Sequence, residues 1–115
     1  MDIKEIIKIL EADVVYGEEL NREITKVAAA DLMSDVLSFS KEGALLLTGL
    51  TNSQVIRTAE MSDIGAICFV RGKRPQKNVI ELGKKMGIPL LVTKLLLYEA
   101  CGKLYMKGLQ GCGCD

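Results

Sequence analysis

Two rhythms of apolar and polar positions alternate along this chain, and the switches between them outline a fold. From Gly43 to Leu104, short apolar runs are followed by segments with helical spacing, three times in succession. The runs Ala44-Leu45-Leu46-Leu47, Ala66-Ile67-Cys68-Phe69-Val70 and Leu90-Leu91-Val92 have no polar interruption. Aliphatic strands of this kind belong to a parallel sheet covered on both faces. Each run stops at a glycine or polar turn: Thr48-Gly49-Leu50-Thr51-Asn52, then Arg71-Gly72-Lys73-Arg74-Pro75, then Thr93-Lys94. Val55, Ile56 and Ala59 predict a helix over 53–61, capped by Asn52 or Ser53. A second helix is predicted over 76–86, with Pro75 suited to its first turn and Gly87 to the position after its end. Gly83 sits inside that helix at a cost of about 1 kcal/mol relative to alanine, and either marks close packing on the sheet or simply weakens the helix. Leu97, Ala100, Cys101, Leu104 and Tyr105 mark the last helix. The linking segments are long enough for crossover helices, right-handed by default.

The first forty residues add to the same sheet. Ile3, Ile6, Ile7 and Leu10 form an apolar helix face, with Asp2 as N-cap and Glu5 three residues on. Val14-Val15-Tyr16 reads as a short strand closed by Gly17. Ile24, Val27 and Ala29 give a partly alternating strand over 24–30 that ends at Asp31, followed by a short helix over 33–39. The expected architecture is α/β: a single small three-layer domain with a mostly parallel four- to five-stranded sheet and helices on both faces. Residues 1–108 make the domain. Residues 109–115 carry no core signal and are predicted as a flexible Cys-x-Cys tail.

Composition narrows what this domain does. A length of 115 residues, 49% hydrophobic, fits one domain with a real core. With no Trp and 4% aromatics, platforms for stacking nucleic-acid bases are scarce. A formal net charge of zero also argues against a nucleic-acid partner. The charge is uneven, however: residues 1–56 hold five basic and ten acidic residues, and residues 57–115 hold ten and five. Oppositely charged halves attract within one chain or between two copies, or simply mix on a solvated surface. No apolar run approaches bilayer length, and the N-terminus lacks an apolar signal region. The expectation is a cytoplasmic protein whose four cysteines are thiols. The absence of His removes the commonest general base and metal ligand.

Candidate chemistry gathers where a parallel sheet presents its strand ends, since ligands of open α/β sheets bind there. Those ends carry Asp31, Thr48, Gly49, Arg71, Gly72 and Thr93. The turn containing Arg71, Lys73, Arg74 and Lys77 places four cations around Gly72, just before a helix N-terminus. Backbone N–H groups, helix dipole and guanidinium forks all favour an anion at such a place. The plain alternative is a solvated basic turn, or one paired with the acidic half of a second subunit. Thr48, Thr51, Asn52 and Ser53 offer hydroxyls and an amide to a ligand, or serve as turn and cap residues. Cys112 and Cys114 form a two-thiol chelate that Cys101 and Asp115 would complete, although Cys101 and Cys68 also read as small core residues. The motifs G-x-x-x-x-G-K-[ST], G-x-S-x-G and a helix-opening G-x-G-x-x-G are absent. No nucleophile–base pair stands out, so the expectation is a non-enzyme.

These patterns resemble the DRTGG domain family over nearly the whole chain. The resemblance is carried by 43–49 (Gly43 to Gly49), 65–75 (Gly65 to Pro75), 79–82 (Val79 to Leu82) and 87–93 (Gly87 to Thr93), and by the opening 6–10 and 14–17. Thr51-Asn52 stands where the family's Asp-Arg is expected, and Val70-Arg71-Gly72 where its Thr-Gly-Gly is expected. Such domains are similar to the N-terminal domain of HPr kinase/phosphorylase, and occur beside CBS domains in some pyrophosphatases and at the front of some phosphotransacetylases. The resemblance implies a small α/β fold, a regulatory or ligand-sensing role and frequent homodimerisation. The strand-end edge with Arg71, Lys73 and Arg74 adds the expectation of a small anionic metabolite, a nucleotide or another phosphate-containing ligand, and a protein partner in a regulatory complex is a further expectation. A form with a cysteine tail also resembles small proteins encoded near hydrogenase and NADH-oxidising subunits. That would imply a redox- or metal-linked accessory role for Cys112 and Cys114.

Overall fold

The structure is a computed structural model and describes residues 1–113. Helix α1 (Ile3–Leu10) leads into β1 (Asp13–Tyr16), and β2 (Lys26–Ala29) is followed by α2 (Met33–Phe39). Three strand–helix units come next: β3 (Leu45–Thr48) with α3 (Ser53–Met61), β4 (Ala66–Phe69) with α4 (Lys77–Met86), and β5 (Leu90–Val92) with α5 (Leu97–Met106). A two-residue strand, β6 (Gln110–Gly111), closes the order. The sheet runs β1-β5-β4-β3-β2-β6, parallel throughout except for β1 on its edge.

The uninterrupted strand runs have a simple cause. Alternate side chains leave opposite faces of a strand, and here both faces are covered. Leu45, Leu47, Cys68 and Leu91 pack under α1 and α5. Leu46, Ile67, Phe69 and Leu90 pack under α2, α3 and α4. The three-layer architecture and mostly parallel sheet are as the sequence predicts. Caps fall where the sequence places them: the Asp2 carboxylate accepts the Glu5 N–H at 2.9 Å, and Asn52, rather than Ser53, accepts the Val55 N–H at 3.3 Å. Pro75 precedes α4 instead of opening it, because Gln76 takes the N-cap position. Of the two readings of Gly83, the structure shows the close packing against β5: a Cβ there would stand 2.7 Å from Leu90 Cδ1.

The sheet has six strands rather than four or five, and the extra strand is a correction to the expected tail. Residues 109–112 are docked. Leu109 is buried with α1 and α5, Gln110 and Gly111 pair with Lys26 and Val27, and the Cys112 N–H donates to the Val27 carbonyl at 2.9 Å. The outer edge of β2 would otherwise expose unpaired backbone groups, and β6 satisfies part of it. Cys114 and Asp115 lie outside the described residues. Among the described residues no helix is long and apolar enough to cross a membrane.

Ending the chain at Gly108 removes the Leu109 burial and the β6 pairing together. Urea unfolding is expected to show a loss of about 2–3 kcal/mol, the scale of one buried aliphatic side chain with its backbone bonds. A truncated chain as stable as the full one would show that the docked segment contributes nothing.

Candidate functional site

Parallel pairing delivers the C-terminal ends of β2, β3, β4 and β5 to one edge of the sheet. Because β1 is antiparallel to β5, with Asp13 opposite Val92, the beginning of β1 reaches that same edge. The edge has two parts.

The first part joins β2, β3 and β4. Asp31 Oδ1 accepts the Gly49 N–H at 2.8 Å and the Thr48 hydroxyl at 3.0 Å. The buried Thr48 hydroxyl in turn accepts the Leu50 N–H at 3.2 Å. This lattice fixes the turn that precedes α3, where Asn52 is the cap. Asp31, Thr48 and Asn52 are therefore brought together, but each is already engaged in holding the loop. Gly49 has a further role. The place of its missing Cβ lies 3.3 Å from Arg71 Nη2 and 3.6 Å from Asp31 Oδ1, so the absent side chain makes room for the guanidinium.

Arg71 is the unusual residue. The Lys73 N–H donates to the Val70 carbonyl at 3.2 Å across a turn whose central residues, Arg71 and Gly72, have φ of 62° and 65°. Both at positive φ marks a type I′ turn, which glycine, asparagine and aspartate occupy at least cost. Arginine in the left-handed region costs roughly 1–2 kcal/mol. The conformation is held by its neighbours: the Arg71 N–H donates to the Leu95 carbonyl and the Gly72 N–H to the Thr93 carbonyl, both at 2.8 Å. Its side chain crosses to β3, with Nη2 at 3.5 Å from the Gly49 carbonyl oxygen. Among the described residues it has no carboxylate within ion-pair distance.

The second part is a cleft of about 370 Å³ lined by Glu11, Asp13, Gly72, Arg74, Val92 and Lys94. Arg74 Nη1 stands 4.0 Å from Asp13 Oδ2. The cationic turn is thus not uniformly free: Arg74 shares its charge with Asp13, whereas Lys73 is exposed. Helix α4 begins beside the turn without a side-chain cap from Gln76, leaving its first N–H groups open. Thr93 is buried in the wall and fully used, its hydroxyl donating to the Leu10 carbonyl at 2.7 Å and accepting the Leu95 N–H at 3.2 Å. Sequence reasoning did not single out Glu11, Asp13 or Lys94 for the site. Lys94 follows β5 as Arg71 nearly follows β4, a signal within reach. The two acids become visible only once β1 is known to pair with β5.

The cysteines do not converge. Cys112 is buried in the α2–α4 layer, and Cys101, offered as a third ligand, lies across the sheet with α1 and α5. Cys114 is outside the described residues. Among the described residues no group of three or more His, Cys, Asp or Glu is placed to hold a metal. Burial pushes the Cys68 thiol up to about 12 and raises that of Cys101, so both are protonated at neutral pH.

The sequence model of the DRTGG domain matches residues 5–104. Comparison with curated proteins returns no match. Among solved structures, the chain is similar to the CBS and DRTGG domains of the regulatory region of the Clostridium perfringens pyrophosphatase, complexed with its activator, diadenosine tetraphosphate. The TM-score is 0.70 at 20% identity, over 90% of this chain and 45% of that one. The chain therefore spans less than half of the protein it superposes on, and the likeness is one of fold. With the family model covering most of the chain, from α1 through α5, this protein belongs to the DRTGG domain family.

Proposed function

We propose that this domain is a non-catalytic regulatory module that binds a nucleotide or a phosphorylated metabolite at the C-terminal edge of its sheet. The observation that carries the reading is Arg71, kept in a strained left-handed conformation by backbone bonds to the segment after β5 and aimed across Gly49. Strained residues of this kind concentrate at ligand sites, where the surroundings over-determine them. A solvated basic turn gives no reason to place arginine where glycine fits better.

The cleft favours a ligand of mixed chemistry over a bare anion. Arg74 and Lys94 in its lining suit phosphate oxygens. Glu11 and Asp13 beside them suit ribose hydroxyls or an amino group, which a nucleotide supplies and sulfate does not. The relative's ligand, a dinucleoside polyphosphate, has this mixture. A catalytic role lacks support: the chain has no His, and Asp31 is occupied by two hydrogen bonds.

A thermal-shift series with inorganic phosphate, ADP and diadenosine tetraphosphate tests the reading. Ligand at a hundredfold excess over its Kd stabilises by about 2.7 kcal/mol, which raises Tm by roughly 10 °C in a domain of this size. The two nucleotides are expected to raise Tm more than phosphate does. A Tm unmoved by all three would remove the ligand-sensing assignment.

A further inference from the structure

We propose that the strand-end site discriminates ligands by the length of their phosphate chain, and that Arg71 is the residue that reads the far end. The proposal deepens the nucleotide reading of this edge and rests on it. Arg71 and Gly72 are neighbours in one turn, yet they serve different places. Gly72 lines the cleft together with Arg74 and Lys94. The Arg71 side chain leads away to β3, where Nη2 stands 3.5 Å from the Gly49 carbonyl oxygen. The cations of this edge therefore form two groups, not one patch.

The sheet order sets the separation of the two groups. Lys94 follows β5, and Arg74 Nη1 stands 4.0 Å from Asp13 Oδ2 on β1. Gly49 follows β3, which lies beyond β4 from both of those strands. Neighbouring strands are about 4.8 Å apart, so the two spacings from β5 to β3 put roughly 10 Å between the cleft and the Arg71 guanidinium. One phosphate with a hydrogen bond of about 3 Å on either side falls short of that distance. Each further phosphoryl group lengthens the anion toward β3. A ligand whose nucleoside and first phosphate occupy the cleft meets Arg71 only through a second or third phosphate.

Arg71 is held at that far position. Its N–H donates to the Leu95 carbonyl, and the N–H of Gly72 to the Thr93 carbonyl. Gly49 leaves the guanidinium its space, since a Cβ there would stand 3.3 Å from Nη2. Among the described residues the Arg71 charge has no carboxylate within ion-pair distance, whereas Arg74 shares its own with Asp13. Asp31 follows β2, one strand further along the edge, with Oδ1 occupied by the Gly49 N–H and the Thr48 hydroxyl. Its negative charge opposes an anion that runs on past the guanidinium.

Calorimetric titration of the full chain with AMP, ADP and ATP, without divalent cations, tests the proposal. Affinity is expected to rise from AMP to ATP by about tenfold or more, the scale of charge-assisted hydrogen bonds gained at Arg71. Arg71→Ala is expected to remove most of that difference, leaving ADP and ATP near the affinity that AMP has for the wild type. Arg71→Gly, which the turn accepts without strain, is expected to do the same. Lys84→Ala removes an exposed cation from the last turn of α4, at the other end of that helix, and is expected to keep the wild-type ratio. Equal affinity for the three nucleotides in the wild type would overturn this proposal and leave the strand-end reading standing. So would a length dependence that survives both Arg71 variants, or one that Lys84→Ala lowers equally. Failure of all three nucleotides to bind would overturn both.

Discussion

Alanine at both Arg71 and Arg74 is expected to weaken nucleotide affinity by a factor of 10² to 10³. In the proposed site each guanidinium gives a phosphate charge-assisted hydrogen bonds worth about 1.5–3 kcal/mol, and every 1.4 kcal/mol is tenfold in Kd. Loss of Arg74 also frees Asp13, which then repels the anion, so its single substitution is expected to be the more sensitive to salt. The more telling variant is Arg71→Gly. Glycine adopts the left-handed turn at no steric cost, so the strain of roughly 1–2 kcal/mol disappears with the guanidinium. Ligand-free Arg71→Gly is expected to melt at or above the wild-type temperature and yet to lose the nucleotide-dependent rise. Calorimetric titration and thermal melts on the same samples separate the two effects. A variant that binds as wild type would mean that the strained arginine is not there for the ligand.

The largest loss of stability from a one-carbon change is expected at Gly65. This residue links the end of α3 to β4, and its N–H donates to the Ala44 carbonyl at 2.8 Å. Its own carbonyl accepts Arg22 Nη1 at 2.9 Å. A Cβ would lie 2.8 Å from the Gly43 carbonyl oxygen and 2.9 Å from Ile24 Cδ1. Ile24 is a side-chain end that can give; the Gly43 carbonyl is backbone at the entry to β3 and cannot move without disturbing the β3–β4 pairing. Overpacking of this kind costs about 3 kcal/mol, enough to lower Tm by roughly 10 °C or more in a domain of this length. Gly102→Ala is the control, because the added methyl meets nothing and improves helix propensity by up to about 1 kcal/mol. Equal melting temperatures for the two variants would contradict this account of Gly65.

Much of the fold was legible because each local signal agreed with the global one. The apolar runs at 44–47, 66–70 and 90–92 read as doubly covered strands because both faces are in fact covered. Asp2, Asn52 and Gly87 cap the helices that the periodicity predicts. What escaped the sequence depended on partners distant in the chain. Strand β6 has two residues and one isolated apolar neighbour, Leu109, so no period could mark it; the open edge of β2 decides its fate. Tyr105 shares a helical spacing with Leu104 and Cys101 but lies just past the boundary of the buried stripe. The places of Arg71, Gly72 and Gly49 at one edge of the sheet were legible from where the apolar runs stop. Thr48 and Thr93 were legible as positions only, since nothing local tells whether a hydroxyl faces a ligand or, as found for Thr93, the end of α1.

Amide chemical-shift mapping of the full chain, titrated with ADP, tests the central claim most directly. The strand-end site predicts saturable shifts concentrated at Gly49 and Leu50, at residues 71–77 and at Lys94, with little change along the exposed face of α5. An absence of saturable shifts, or shifts centred away from this edge, would contradict it.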